Sequence, residues 1–280
     1  MNVTTQIDEI RQARWAAPTA TWGLVPTMGF LHAGHLSLIR QARAENDFVA
    51  VSIFVNPLQF NNASDLEKYP RNEAQDLALL KEAGVDLVWT PTPEIAYPAD
   101  FQTQVTVSEL SKPLEGAHRP GHFAGVTTVV AKLFNIFQPT RTYFGQKDAQ
   151  QVAVIQRMVK DLIFILQLVV GATVREADGL ALSSRNARLS AEGRRQAVAL
   201  HKALQQGKRL IEAGEREAGV VREGMTAVFQ NYPLAEVEYI SLADADSLQE
   251  LTRLSGRLLI SMAVFVDGVR LIDNLLHTLV

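Results

Sequence analysis

Through the first two-thirds of the chain, short runs of β-branched and other apolar residues ending in turn residues alternate with longer stretches whose apolar positions recur at helical spacing. The short runs predict strands at residues 22–26, 48–56, 86–90, 142–145 and 166–172, and the longer stretches predict helices at 36–46, 73–83, 127–137 and 150–162. Strands that alternate with helical crossovers form parallel sheets, so the pattern is that of a doubly wound α/β fold. Beyond about Ser190 the order changes to helices at 191–213 and 219–231 followed by strands at 237–243, 258–266 and 269–272. Asp267-Gly268 between the last two strands is a two-residue hairpin signal. A smaller C-terminal α+β domain is therefore expected, starting between residues 174 and 191, with the division drawn as 1–178 and 179–280.

Composition narrows the function. At 280 residues, 47% hydrophobic and 20% charged, the chain is long enough for a substantial core. With 27 basic against 30 acidic residues the net charge is −3, so no general basic field attracts nucleic acid or an anionic membrane. The absence of cysteine excludes disulfides, thiolate metal sites and a thioester intermediate on this chain. The first fourteen residues carry Asp8, Glu9, Arg11 and Arg14 in place of the apolar run of a signal peptide, and the most apolar stretches are too short to span a bilayer. A cytoplasmic location with no membrane partner is the expectation.

In open α/β sheets ligands bind beyond the carboxyl ends of the strands, which makes the residues after each strand the candidates for chemistry. After the first strand come Met28, Gly29, Phe30, Leu31, His32, Ala33, Gly34 and His35, with a helix starting near Gly34. A helix N-terminus favours phosphate, and two imidazoles three residues apart can donate to phosphoryl oxygens; the plainer alternative is a pair of surface histidines in a turn. The second strand leads to Asn56 and Gln59, and the fourth to Gly145, Gln146, Lys147, Asp148, Gln150 and Gln151. Amides suit a small polar substrate with hydroxyls and a carboxylate, and Lys147 adds a charge for phosphate, although Lys147 and Asp148 also read as a solvated pair at a helix start. The fifth strand runs into Val174, Arg175, Asp178, Gly179, Leu182, Ser183, Ser184 and Arg185, either a mobile polyphosphate clamp or a capped linker.

Other motifs fail on inspection. Gly116 and Gly121 have P-loop spacing, but His122 and Phe123 stand where Lys and Ser or Thr belong. His118 and His122 have the spacing of a zinc pair, yet Pro120 and Gly121 oppose a continuous helix between them; Arg119 could instead meet an anion. His201 and His277 read as structural or solvent-facing. No G-x-G-x-x-G follows a predicted strand.

The string His32-Ala33-Gly34-His35 resembles the H-x-G-H signature of the nucleotidyltransferase superfamily, whose members bind ATP on a Rossmann-like sheet. Longer strings single out one branch: Pro26-Thr27-Met28-Gly29, Phe54-Val55-Asn56-Pro57, Gln59-Phe60, Tyr69-Pro70-Arg71, Arg119-Pro120 with His122-Phe123, Lys147-Asp148, Gln150-Gln151, Asp178-Gly179-Leu180, Ser183-Ser184-Arg185-Asn186 and Arg270-Leu271-Ile272-Asp273-Asn274. In this order, over nearly the whole chain, they resemble the pantothenate synthetase (pantoate–β-alanine ligase) family.

The resemblance implies condensation of (R)-pantoate with β-alanine, driven by ATP with Mg2+, through a non-covalent pantoyl adenylate, releasing AMP and pyrophosphate. It assigns catalysis to His32, His35, Lys147, Ser183, Ser184 and Arg185, with His35 the family's proton donor. ATP falls along Met28 to His35, Gly145 to Asp148, Val174 and Leu182 to Arg185. Pantoate falls against Gln59, Gln151 and Met28, and β-alanine near Gln59. It also implies a homodimer and a C-terminal domain that closes over the nucleotide. Three positions depart from the family pattern: Gln146 where Glu is frequent, Ala172 for Pro and Ile163 for Asn. Two other readings stand beside it, a nucleotidyltransferase that leaves the nucleotide on its product and a nucleotide-binding regulator without turnover.

Overall fold

Alternation of inward-facing apolar residues on the two sides of each strand builds the first unit. In the structure, a computed structural model that describes residues 1–279, the chain begins β1 (Asn2–Thr4), α1 (Ile7–Ala16), β2 (Trp22–Thr27), α2 (Ala33–Glu45) and β3 (Phe48–Ile53). It continues through α3 (Ala63–Glu67), α4 (Glu73–Glu82), β4 (Leu87–Trp89), α5 (Pro93–Ala96), α6 (Glu115–His118), α7 (His122–Phe137), β5 (Arg141–Gly145), α8 (Ala149–Asp161) and β6 (Gln167–Gly171). The six strands form one sheet in the order β1-β4-β3-β2-β5-β6, with every pairing parallel. Leu24, Ala50, Leu87 and Trp89 pack with Ile10 of α1, Phe134 and Phe137 of α7 and Ile155 of α8. Their strand neighbours Val25, Val49, Val51 and Val88 pack with Leu38, Ile39 and Ala42 of α2 and Leu80 of α4. Helices cover both faces, so the doubly wound, Rossmann-like expectation holds. The order reverses between β2 and β5, which places the ligand crevice of such a sheet at their carboxyl ends.

The elements differ from the sequence expectation where tertiary contacts intervene. β1 and α1 were not among the predicted elements; β1 is a three-residue strand that exists through its pairing with β4. β3 stops at Ile53 and does not reach Asn56, because Asn56 caps a 3-10 turn, Pro57–Gln59. α7 begins at His122, five residues before the predicted start, and is buried on nearly all sides, so it shows no amphipathic stripe at its beginning. The break between α6 and α7 at Arg119–Gly121 removes the helical zinc pair His118 and His122, as Pro120 and Gly121 imply.

The second unit comprises Lys147–Gln150 and the chain from Thr173 onward. It holds α9 (Ala191–Gln196), α10 (Ala199–Glu212), α11 (Ala218–Val228) and an antiparallel sheet of β7 (Ala235–Asp244), β8 (Arg257–Val266) and β9 (Val269–Thr278). Leu200, Leu204 and Ile211 of α10 and Val221 and Met225 of α11 share a core with Leu242, Ile260, Met262 and Val264 of the sheet. The single helix expected over 191–213 is two. Gly193 lies where a Cβ would come within 2.8 Å of Asp267, so α9 follows the β8–β9 turn, while α10 follows the sheet. β9 runs six residues past the predicted Ile272, because β8 offers a partner along its whole length up to Arg257 opposite Thr278. Among the described residues no helix is long and apolar enough to cross a membrane.

Candidate active site

The turn after β2 is held in an unusual backbone conformation. Gly29 and Phe30 both have positive φ, 77° and 49°, a region costly for a bulky side chain such as that of Phe30. Asp76 of α4, 2% exposed, stabilises this conformation: its two carboxylate oxygens accept from the N–H of Phe30 at 2.8 Å and of Leu31 at 2.7 Å. A Cβ on Gly29 would lie 2.9 Å from the same carboxylate, so the residue must be glycine on both counts. Thr27 completes the turn, its hydroxyl donating to Ser52 O at 2.8 Å and accepting from Gly29 N at 3.2 Å.

His32 and His35 then form an imidazole version of a capping box at the start of α2. The Nδ1 of His32 accepts from Gly34 N at 3.1 Å, and the Nδ1 of His35 accepts from His32 N at 3.3 Å. An Nδ1 that accepts from a backbone N–H carries no proton, so each neutral ring is the Nε2–H tautomer and a donor at Nε2. The rings lie 4.1 Å apart between centroids. Met28 to His35 thus combines a strained turn, a helix N-terminus and two oriented N–H donors, a combination suited to phosphoryl oxygens.

Beside this turn, Gln59 ends the 3-10 turn after β3, with its Nε2 3.3 Å from Met28 Sδ. Its backbone carbonyl accepts from His122 Nδ1 at 2.8 Å and from Arg119 Nη2 at 3.3 Å, so His122 carries its ring proton on Nδ1. Arg119 also meets the buried Glu115 at 3.7 Å. It is therefore engaged with protein groups as well as being a cation near the crevice. α7 lies close against the turn: a Cβ on Gly125 would come within 2.4 Å of Leu58 O. Gln151 occupies the first turn of α8 and is half-buried. At the end of β5 the space beside Gly145 is open, with nothing within 4 Å of a Cβ built there. Gln146 begins the 3-10 turn Gln146–Asp148.

In the second unit the remaining candidates are organised by Asp273 and Asn274. Asp273, 2% exposed, takes a bidentate pair from Arg175 at 2.6 and 2.9 Å, and Asn274 Nδ2 donates to Lys147 O at 2.8 Å. The Lys147 ammonium is 4.0 Å from Asp148, and its side chain is 18% exposed against 48% for its neighbour. The sequence after Thr173 folds back on itself: Leu182 N donates to Val174 O at 3.0 Å, and the turn closes through Gly179 at φ 96°. Arg194 clamps that turn with hydrogen bonds to Glu176 at 2.6 Å and Asp178 at 2.8 Å, and its hydrogen bond holds the Asp178 carboxyl below the usual range. Ser183 then caps the 3-10 turn Ser184–Arg188, its hydroxyl accepting from Arg185 N at 3.2 Å, and Ser184 is buried.

Within the first unit the structure brings Met28 to Gln59 and His32 to His35. Within the second it ties Lys147 to Asn274 and Val174 to Leu182. Sequence reasoning assigned no role to Asp76, Tyr97, Arg194 or Asp273, which act across 16 to 98 residues of chain. Asp273 lay inside a motif string; the others carried no local signal. Among the described residues no group of three or more His, Asp or Glu could hold a metal ion.

Donor groups at the carboxyl ends of two parallel strands that flank a reversal of strand order define a ligand-binding α/β protein of the Rossmann-like class. The family model described as pantoate-beta-alanine ligase matches residues 2–276, and the chain belongs to that family. The pantothenate synthetase of Herpetosiphon aurantiacus is 52% identical over 98% of this chain and 99% of its own, and that of Moorella thermoacetica 56% identical over 90% and 89%. The crystal structure of pantothenate synthetase from Thermus thermophilus superposes with a TM-score of 0.93 at 44% identity, covering 98% of this chain and 99% of that one. A pantoate-beta-alanine ligase from Francisella tularensis, complexed with beta-gamma ATP and beta-alanine, gives 0.82 at 36% identity over 99% and 97%.

Proposed function

We propose that this protein condenses (R)-pantoate with β-alanine at the expense of ATP, giving pantothenate, AMP and pyrophosphate through pantoyl adenylate. The observation that carries the reading is the imidazole capping box: two Nε2–H donors set at a helix N-terminus, suited to the negative charge that develops on a triphosphate. A pantoate carboxylate oxygen attacks the α-phosphorus and the bond to the pyrophosphate bridge breaks, with the electron pair leaving on pyrophosphate. His32, His35, Lys147, Ser183, Ser184 and Arg185 stabilise that charge. The neutral amine of β-alanine then attacks the acyl carbon, the bond to AMP breaks, and the amine proton is lost. His35 works here as a neutral hydrogen-bond donor: protonating its Nδ1 to make an imidazolium would break the bond from His32 N.

ATP lies along Met28 to His35, Gly145 to Asp148, Val174 and Leu182 to Arg185, pantoate against Gln59, Gln151 and Met28, and β-alanine at Gln59. The open space beside Gly145 and the strained Gly29–Phe30 turn support the ATP assignments that follow β2 and β5. Mg2+, held on the triphosphate oxygens, would neutralise phosphate charge beside the Lys147 and Arg185 donors. The active form is a cytoplasmic homodimer with no nucleic-acid or membrane partner.

The test is pyrophosphate release with ATP, Mg2+ and (R)-pantoate, followed by mass spectrometry after β-alanine is added. Pyrophosphate and AMP are expected, with release dependent on pantoate, and formation of ADP refutes the adenylate. Lys147→Ala and His35→Ala are each expected to slow adenylate formation by roughly 100-fold or more; near-native rates remove those residues from the mechanism.

A further inference from the structure

Behind Gln59 lies a hydrogen-bond chain that the proposed reaction leaves unexplained. Asn56 is 1% exposed, and both ends of its amide are fully engaged. Its Nδ2 donates to Gly125 O at 3.0 Å and to Gln59 Oε1 at 3.0 Å; its Oδ1 accepts from Leu58 N at 3.3 Å and from the Tyr97 hydroxyl at 2.8 Å. Two of these partners have no choice of role. A backbone N–H can only donate and a carbonyl oxygen can only accept, so the orientation of the Asn56 amide is determined. The orientation of Gln59 follows: the oxygen faces Asn56 and the NH2 faces Met28, 3.3 Å from its sulfur. Tyr97 fills the last acceptor position on Asn56. Burial raises its phenol well above the ordinary value, so the hydroxyl keeps its proton and donates at every working pH.

We infer that Tyr97 is a positioning residue for substrate binding: through Asn56 its hydroxyl holds the Gln59 amide so that the NH2, and not the carbonyl, meets an oxygen of the bound substrate. The inference rests on the reading of Gln59 as a pantoate contact. It adds that the contact has a fixed polarity, suited to a carboxylate or an accepting hydroxyl oxygen. The 3-10 turn that carries Gln59 is braced independently by His122 and Arg119 on its carbonyl, so loss of the Tyr97 hydroxyl leaves the Asn56 amide on Leu58 N and Gly125 O alone and loosens the Gln59 amide it holds, while the backbone stays in place.

The experiment is a double-mutant cycle on the full-length enzyme, measuring KM for (R)-pantoate and kcat by pyrophosphate release. Tyr97→Phe keeps the ring against Phe54 and Phe101 and removes only the donor. It is expected to raise KM about fivefold, the worth of one ordinary hydrogen bond, with kcat within about twofold. Gln59→Leu is expected to raise KM by about tenfold or more, and Tyr97→Phe in that background to add nothing. An unchanged KM in Tyr97→Phe, or the same fivefold rise recurring in the Gln59→Leu background, overturns the positioning role while leaving Gln59 a substrate contact. An unchanged KM in Gln59→Leu removes that contact itself, and the inference with it. Gln59→Glu checks the polarity separately, since it keeps an oxygen for Asn56 and replaces the NH2 by an acceptor. It is expected to weaken pantoate at least as much as Gln59→Leu, and native affinity overturns the assigned orientation.

Discussion

Replacing Asp76 by Asn tests whether the β2–α2 turn is held from a distance. The native carboxylate accepts from two backbone N–H groups, the half-buried Phe30 at 2.8 Å and the buried Leu31 at 2.7 Å. Asn offers one oxygen and one NH2 in the same volume, so one bond persists in weaker neutral form while the other becomes two donors facing each other. The loss of one charge-assisted bond, together with an N–H left without a partner, costs about 3 kcal/mol. That cost has two places to go. If the turn keeps its shape, it appears as lost stability, lowering Tm by about 5 °C for a chain of this size. If the positive-φ pair Gly29–Phe30 relaxes instead, Tm changes less and the competent turn becomes rarer by about 100-fold, with pyrophosphate release falling in proportion. Thermal denaturation and pantoate-dependent pyrophosphate release on the same preparation measure both shares. Native Tm together with native turnover would refute the role of Asp76 in shaping the turn.

Two further outcomes follow from strain and burial. Ile163 has φ 56° and is 81% exposed, so Ile163→Asn places a residue tolerant of that conformation at little cost in burial; a gain of about 1 kcal/mol is expected, seen as a Tm rise of about 2 °C, and Ile163→Val should give none. His201 lies under Gly179 with its Nδ1 buried and lacking a hydrogen-bond partner, and burial lowers its pKa from the usual 6.5. Arg175 adds to the lowering, while Asp273 and Asp178 oppose it. A depressed histidine favours folding at pH above its unfolded value, and that contribution shrinks as pH falls below about 6.5 because the unfolded chain binds the proton more readily. His201→Gln should flatten the stability profile between pH 7 and 5 in denaturant titrations; an unchanged slope there would assign the acid loss to other groups.

The chain pattern alone determined the parallel α/β class, the C-terminal hairpin and most of the element positions, because strand alternation and helical period are local properties. The same is true of the candidate ligand groups that follow β2, β3 and β5, whose place at strand ends follows from the class of sheet. The strings around His32, Lys147 and Ser183 also carried the family. What tertiary structure decided is how those groups are held. Asp76 reaches Phe30 across 46 residues, Tyr97 reaches Asn56 across 41 and Asp273 reaches Arg175 across 98, and no window of sequence contains both ends of such a bond. The same reason accounts for β1, which exists only beside β4, and for the extension of β9, which β8 stabilises. The tautomers of His32 and His35 belong with these. The sequence names two imidazoles, but only the fold shows which nitrogen a backbone N–H has already claimed.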